Sequence, residues 1–384
     1  MSYHVTLQPS SHEFQVAENE SVLDAALREK GNVLPYGCRN GTCGSCMATI
    51  LSGEVGYPDG RPPALSEAEQ NAGKALLCQA RPRSDLVIEA REVKSVADIV
   101  VRTLPCRVEQ RELLAPDVMR LYLRPPSIER LQFLAGQYVD ILLADGRRRG
   151  FSLANPPHAD DLLELHVRHV PGGFFTDHVF ERMKDKALLR FQGPLGTFFL
   201  REDSPRPIIL MGGGTGFAPL KGMLEHAFHI GLEQPLHLYW GARAKVDLYL
   251  DALPRQWAAE HANFRYTPVL SEPRPEDDWQ GRTGWVHEAV AADYPDLSGH
   301  DVYMSGPPPM IDAAKPVFAA RGLPVEQLFY DSFEFSAHYQ ANPPAHLEQN
   351  ATHPESCFFQ NHSVRPKRST VQAEHRTLQC FYNF

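Results

Sequence analysis

The sequence predicts a multidomain protein: a small α+β domain, then an antiparallel β-barrel, then a doubly wound α/β domain on a parallel sheet. Three observations lead there. Residues 1–97 carry two alternating runs, a capped helix and a glycine-rich cysteine loop. Residues 103–203 carry short alternating runs split by Pro and Gly, the spacing of a closed antiparallel sheet. Residues 205–336 alternate strand-like and helix-like stretches, the order of a parallel sheet with crossover helices. A length of 384 residues suits two or three domains, and an apolar fraction of 43% is enough for ordinary cores.

In the first domain, His4–Pro9 and His12–Val16 alternate, with Val5, Leu7, Phe14 and Val16 as the inward set of a hairpin. Ser21 and Asp24 make a capping-box start for a helix through Lys30, with Leu23, Ala26 and Leu27 on one face. Met47–Leu51 and Leu86–Glu89 read as further strands. Between helix and strands lies YGCRNGTCGSC, residues 36–46, which sets Cys38, Cys43 and Cys46 in a C-x4-C-x2-C array; Cys78 follows in LLCQARP. Four thiolates around two irons and two sulfides need their charge compensated by inward N–H groups, and Gly37, Gly41 and Gly44 free the backbone to supply them. The stretch resembles the cluster loop of plant-type 2Fe–2S ferredoxins, whose β-grasp fold has the same element order, and the resemblance makes Cys38, Cys43, Cys46 and Cys78 the metal ligands. Structural zinc is the alternative, but zinc sites usually pair CxxC knuckles. A disulfide framework does not suit a chain in which no secretory segment is visible.

Val96–Thr103 reads as a linker. Cys106–Val108, Val118–Leu123, Tyr138–Leu143, Leu162–His169 and Ala187–Gln192 are the barrel runs, and Cys106 is a packing residue in the first of them. Arg149-Gly150-Phe151-Ser152 is expected to follow a strand and open into Asn155-Pro156-Pro157, with Gly136-Gln137-Tyr138 upstream. These motifs resemble the R-x-Y-S and GQY segments of the ferredoxin–NADP reductase family. The resemblance implies a flavin: Arg149 on its phosphate, Phe151 stacked on the ring in place of the usual Tyr, and the Ser152 hydroxyl near N5. A guanidinium suits a phosphate by bidentate contact. Phe151 keeps the stacking and lacks the phenolic hydrogen bond. The resemblance also places the backbone of His166 and Val167 against the flavin. Gly172-Gly173 with Thr176 reads as a glycine turn opening a helix, which suits a pyrophosphate and so FAD. By the same resemblance, an aromatic in Phe329–Phe333 covers the flavin, with Phe333 as candidate.

Ile208–Met211, Leu236–Trp240, Phe264–Leu270, Asp301–Met304 and Leu328–Tyr330 read as strands, with helices over Pro219–Ile230, Leu253–His261, Val286–Ala292 and Pro308–Arg321 between them. Gly212-Gly213-Gly214-Thr215-Gly216 and Pro219 follow the first strand, where glycines admit a pyrophosphate to a helix N-terminus. Ser305-Gly306-Pro307 follows a later strand. The family commonly has Cys-Gly-Pro there, beside the nicotinamide, so Ser305 keeps a positioning role and loses any specific to a thiol. Arg243, after the second strand, suits an adenosine ribose or its 2′-phosphate; both NADH and NADPH remain open.

Taken together, the order resembles the reductase components of bacterial oxygenases and the CDP-6-deoxy-glucoseen reductases that serve 3-deoxysugar formation. That implies an electron path from NADH or NADPH through FAD to a 2Fe–2S cluster, then to a partner protein, either an oxygenase or a deoxysugar dehydratase component. A nicotinamide gives electrons in pairs and a cluster takes one at a time, so the flavin stands between them. Two other classes are the alternatives: a free flavin reductase, which needs no cysteine quartet, and a zinc-bearing binding protein on a flavin-like scaffold that has lost activity, which iron and acid-labile sulfide analysis separates because zinc brings no sulfide. The formal charge of −9 argues against an electrostatic grip on nucleic acid or anionic membrane. No run of about 18 apolar residues is present, and the N-terminus lacks signal-peptide character, so a cytoplasmic protein is expected. Residues 337–384 lack any period and read as a disordered tail, whose His346, His353, Cys357, His362, His375 and Cys380 match no metal spacing.

Overall fold

The structure is a computed structural model that describes residues 2–29, 34–90, 99–127 and 131–333. The expected domain junction near 97 and the expected tail over 337–384, with its histidines and cysteines, lie outside the described residues.

The alternation in the first 17 residues is what builds the first sheet. Ser2–Gln8 pairs antiparallel with Glu13–Ala17 and parallel with Leu86–Glu89, and the sheet continues through Met47–Ser52 to Lys74–Leu76. Val5, Leu7, Phe14 and Val16 all face inward, nearly or wholly excluded from solvent, and pack with Leu23 and Ala26 of the helix Val22–Glu29. That helix starts where expected: the Asp24 N–H donates to Ser21 Oγ at 3.0 Å. The helix Glu67–Asn71, itself capped by a Ser66–Glu69 box, and the strand Lys74–Leu76 escaped the sequence reading because each is too short to show a period.

Six antiparallel strands follow in the order Arg148–Ser152, Tyr138–Leu142, Leu188–Leu195, Arg102–Ala115, Val118–Arg124, Leu163–Arg168. A bridge between Leu153 and Leu165 joins the two outer strands and closes the barrel. Two expectations change here. Thr103 belongs to a long strand, Arg102–Ala115, and not to a linker. Arg149–Ser152 lies on a strand and not after one, because it pairs residue for residue with Tyr138–Ile141. Cys106 packs in the barrel core, where burial pushes its thiol up to about 12.

The third sheet is wholly parallel, in the order Arg282–Thr283, Phe264–Leu270, Leu236–Ala242, Ile208–Gly213, Asp301–Gly306, Leu328–Ser332. Phe217–His229 and Ala252–Glu260 supply the core on one face, through Phe217, Leu220, Leu224 and Trp257. Val286–Asp293 and Pro308–Ala319 supply it on the other, through Val290, Ile311 and Phe318. The first of these cores runs on into the barrel through Val118, Phe198 and Leu200, so the two share one apolar interior. This seam brings the barrel motifs and the glycine turns together.

Candidate functional site

The cysteine loop is folded by its own thiols and by the barrel beneath it. The Cys38 N–H points at Cys43 Sγ and the Cys43 N–H at Cys38 Sγ, both at 3.4 Å. Ser45 N–H adds a third, at 3.5 Å from Cys43 Sγ. The side chains stand as two pairs, Cys38 with Cys43 and Cys46 with Cys78. No three metal-binding side chains among the described residues converge on one point. Two pairs of thiols suit two irons and do not suit one zinc ion. Gly44 has φ +79°, a conformation that costs an L side chain dearly, and it turns the loop between Cys43 and Cys46. The loop is anchored to the barrel: Tyr36 N–H donates to Thr197 Oγ1 at 2.9 Å, Thr197 N–H to Tyr36 O at 3.2 Å, and Tyr138 OH to Gly37 O at 2.9 Å.

On the barrel, the strand pairing turns Ser152 inward, and its hydroxyl donates to Asp331 Oδ2 at 3.0 Å. Asp331 comes from the last strand of the parallel sheet, so this bond crosses the seam. Crowding around its carboxyl raises Asp331 to about 6, against an ordinary value of 3.8, although Ser152 works the other way. The sequence reading missed Asp331; its one signal is an acid set between the aromatics of the Phe329–Phe333 run. Arg149 is half-buried, donates to the Arg148 carbonyl at 2.7 Å and forms no ion pair among the described residues, so its guanidinium is available to an anion. Phe151 meets Phe175 with ring centroids 5.4 Å apart. Val167 is fully buried in the barrel core, opposite Met119. The His166 side chain turns away from Phe151 to bond Glu164 at 2.9 Å and the Tyr249 hydroxyl at 3.0 Å, leaving only its backbone to serve a ligand. Gly172, with φ +79°, and Gly173 open a helix of four residues, Phe174–Asp177, which passes into a π turn. The Thr176 hydroxyl donates back to Val170 O at 2.9 Å and so braces that turn.

Across the seam, the strand Ile208–Gly213 ends in the turn Gly214–Gly216 and the helix Phe217–His229, with Pro219 in its first turn. A Cβ on Gly216 would stand 1.9 Å from the Ser305 carbonyl oxygen. The two glycine turns therefore touch backbone to backbone, and only glycine permits it. Gly213 faces Pro307 and Met310, and Gly306 faces the Gly213 backbone. Ser305 Oγ is fully buried and has no hydrogen-bond partner among the described residues. An orphaned hydroxyl at this crossing is what a polar ring substituent of a nicotinamide would satisfy. The Phe333 N–H donates to Gly306 O at 2.9 Å, which ties that half-buried aromatic to the same crossing. Arg168, absent from the sequence-based set, brings its guanidinium against Gly214; its Nη2 has no hydrogen-bond partner among the described residues and its Nε lies 3.5 Å from Asp117. Arg243 lies 3.8 Å from Asp247 and is partly buried, its side chain 43% exposed.

The comparisons with known proteins follow this layout. Residues 5–83 match the family model of the 2Fe–2S iron–sulfur cluster binding domain, 105–200 that of the oxidoreductase FAD-binding domain and 210–316 that of the oxidoreductase NAD-binding domain. A CDP-6-deoxy-L-threo-D-glycero-4-hexulose-3-dehydrase reductase of Yersinia pestis is 39% identical over 333 residues, covering 87% of this chain and 99% of that one. The reductase component of a phenol 2-monooxygenase from Pseudomonas sp. (strain CF600) is 36% identical over 344 residues, covering 88% and 96%. Among solved structures, a cytochrome P450 reductase of Amycolatopsis superposes with a TM-score of 0.71 at 34% identity, covering 86% of this chain and 98% of that one. A ferredoxin reductase of carbazole 1,9a-dioxygenase gives 0.64 at 27%, covering 87% and 99%. Among the described residues no helix is long and apolar enough to cross a membrane. The chain therefore belongs to the family of 2Fe–2S ferredoxin reductases with FAD- and NAD-binding domains, and it is an NAD(P)H-dependent iron–sulfur flavoprotein oxidoreductase that passes electrons from NAD(P)H through FAD to its cluster.

Proposed function

We propose that the chain is the reductase of a two-component system and delivers single electrons to a deoxysugar dehydratase in the cytoplasm. The observation that carries the electron path is the last strand. It sets Asp331 on Ser152 of the barrel and Tyr330 against Gly44 of the cysteine loop, so residues of all three domains meet within two positions. In this reading the domains span 1–97, 103–203 and 205–336. Cys38, Cys43, Cys46 and Cys78 hold the cluster; Arg149, Phe151, Ser152, the backbone of His166 and Val167, and Gly172, Gly173 and Thr176 hold FAD. Gly212–Gly216, Pro219, Gly306 and Pro307 hold the nicotinamide nucleotide, Arg243 its ribose and Ser305 its ring, while Phe333 covers the flavin. Bound there, nicotinamide supplies a hydride, flavin splits the pair, and the cluster passes single electrons. The chain's own work is alignment and proton control. The buried crossing of Gly216 and Ser305 excludes water from the hydride path. Ser152 Oγ, donating to a carboxylate whose pKa is raised, is placed to hold or release a proton beside the flavin. The choice of partner rests on the 39% identity to the hexulose-dehydrase reductase over almost its whole length. An oxygenase component is the second reading, favoured by 36% identity to the phenol monooxygenase reductase.

The test is an anaerobic NADH titration of the purified chain, followed by visible absorption, with each partner class then added in turn. Reoxidation by a sugar-nucleotide dehydratase and not by an oxygenase component supports the first reading; the reverse supports the second. Cys43→Ala is expected to keep NADH-driven ferricyanide reduction and to lose cytochrome c reduction. Equal loss of both would show that flavin reduction depends on the cysteine loop.

A further inference from the structure

The last strand does more than close the parallel sheet. Tyr330 leaves it on the side of the cysteine loop, where its hydroxyl lies 3.7 Å from the position a Gly44 Cβ would take. That places the hydroxyl beside Ser45, the next residue of the loop. Ser45 in turn presents two groups to one sulfur: its Oγ is 3.3 Å from Cys43 Sγ and its N–H 3.5 Å from the same atom. The Cys43 thiol donates to Ser45 Oγ as drawn, but a Cys43 sulfur bound to iron carries no proton and can only accept. The Ser45 hydroxyl is then free to turn and donate to it, which leaves the Ser45 oxygen as an acceptor toward the neighbouring Tyr330 hydroxyl. Burial holds Tyr330 above its ordinary pKa, so it stays a neutral donor. Lys315 Nζ sits 4.1 Å from the centre of the Tyr330 ring and clamps it from the far side. Met304 and Tyr330, and Ser305 and Asp331, are paired across the parallel sheet, so this donor is fixed by the same two strands that carry the nicotinamide turn.

We propose that Tyr330 is a positioning residue for the cluster: through Ser45 it orients a hydrogen bond onto the Cys43 sulfur, and so the nicotinamide domain sets the reduction potential of the centre held by the N-terminal domain. The inference rests on the assignment of Cys43 as a cluster ligand. Hydrogen bonds to cluster sulfur stabilise the more negative, reduced state and raise the potential.

The experiment uses holoprotein with measured flavin, iron and sulfide. Tyr330→Phe keeps the ring and its contact with Lys315 and removes only the hydroxyl. In an anaerobic redox titration read by electron paramagnetic resonance, the ratio of reduced cluster to reduced flavin is expected to fall about threefold to tenfold, with a change in the reduced-cluster spectrum. Ser45→Ala is expected to shift the ratio the same way, and Tyr330→Phe added to Ser45→Ala is expected to shift it no further. A Tyr330→Phe protein with full cofactor content, wild-type spectrum and wild-type ratio would overturn the inference. So would additive effects in the double variant, which would mean that Tyr330 acts independently of Ser45. Wild-type protein that never shows a reduced-cluster signal would instead overturn the ligand assignment beneath it.

Discussion

Asp331 and Ser152 show how a single pair can carry a pH dependence. The carboxyl's pKa in the fold, about 6, lies above its ordinary 3.8, so between those values the folded chain holds more proton than the unfolded one. This group's contribution to stability is therefore fullest at low pH and is lost as pH rises toward about 6. Asp331→Asn removes the dependence: relative to wild type, the variant is expected to gain stability at about pH 7.5 compared with about pH 4, as measured by urea midpoints. The rate of flavin reduction by NADH in wild type is expected to show an inflection near 6 that Asp331→Asn lacks. An identical inflection in both proteins would remove Asp331 from the proton path. This residue also marks where sequence reading stops. The cysteine quartet was legible because three of its members sit within nine residues and their spacing is itself chemical information. Asp331 was not, because its partner is 179 residues away and only the fold brings them together.

Single elements were legible where a period or a glycine run survived, and their mutual contacts were not. The glycine run at 212–216 announced a strand-to-helix turn, and the structure puts one there. What the run could not announce is that the last glycine of GGGTG presses on another turn: a Cβ at Gly216 would lie 1.9 Å from the Ser305 carbonyl. Backbone cannot yield as a flexible side chain does, so Gly216→Ala must push the two strand ends apart. Overpacking of this kind costs about 1–3 kcal/mol. Gly216→Ala is expected to lose that much stability in denaturant and to weaken nicotinamide binding, seen as a raised KM for NADH, while leaving bound flavin intact. A variant with wild-type KM would show that the crossing does not position the nucleotide. The flavin motif shows the converse error. Arg149–Ser152 was expected after a strand, opening into Asn155-Pro156-Pro157. Cross-strand pairing with Tyr138–Ile141 overrides that local signal.

At the scale of the whole molecule, the three domain types and their order were legible, whereas the joints between them were not, since joints are made of residues that look ordinary in sequence. The joint between barrel and parallel sheet is built on Lys221, a buried cation one residue before Gly222 in the helix Phe217–His229. Its ammonium donates to Ala154 O at 3.1 Å, to Glu164 Oε2 at 3.0 Å and to Glu225 Oε2 at 3.0 Å. Ala154 lies two residues past Ser152, so the helix that opens at the nicotinamide turn is fastened directly to the end of the flavin strand. Burial pushes Glu164 up, but His166 and Lys221 outweigh it and leave the carboxyl at about 2. Its stabilising share is thus present above the ordinary 4.5 and is lost as pH falls toward about 2. Lys221→Met removes the cation between two carboxylates and leaves Glu164 only His166 and the more distant Arg120, which should cost about 3 kcal/mol at neutral pH. The gap to wild type should narrow as pH drops below 4.5, because protonation relieves the two carboxylates while it erodes the wild-type pairing. Denaturant midpoints across that range measure both effects. Hydride transfer from NADH to flavin, followed by stopped flow in Lys221→Met protein that remains folded, should slow even with flavin and nucleotide bound, since alignment across the seam is what the lysine supplies. An unchanged transfer rate would mean that the shared apolar core alone fixes the two domains, and that the buried charges contribute stability without geometry.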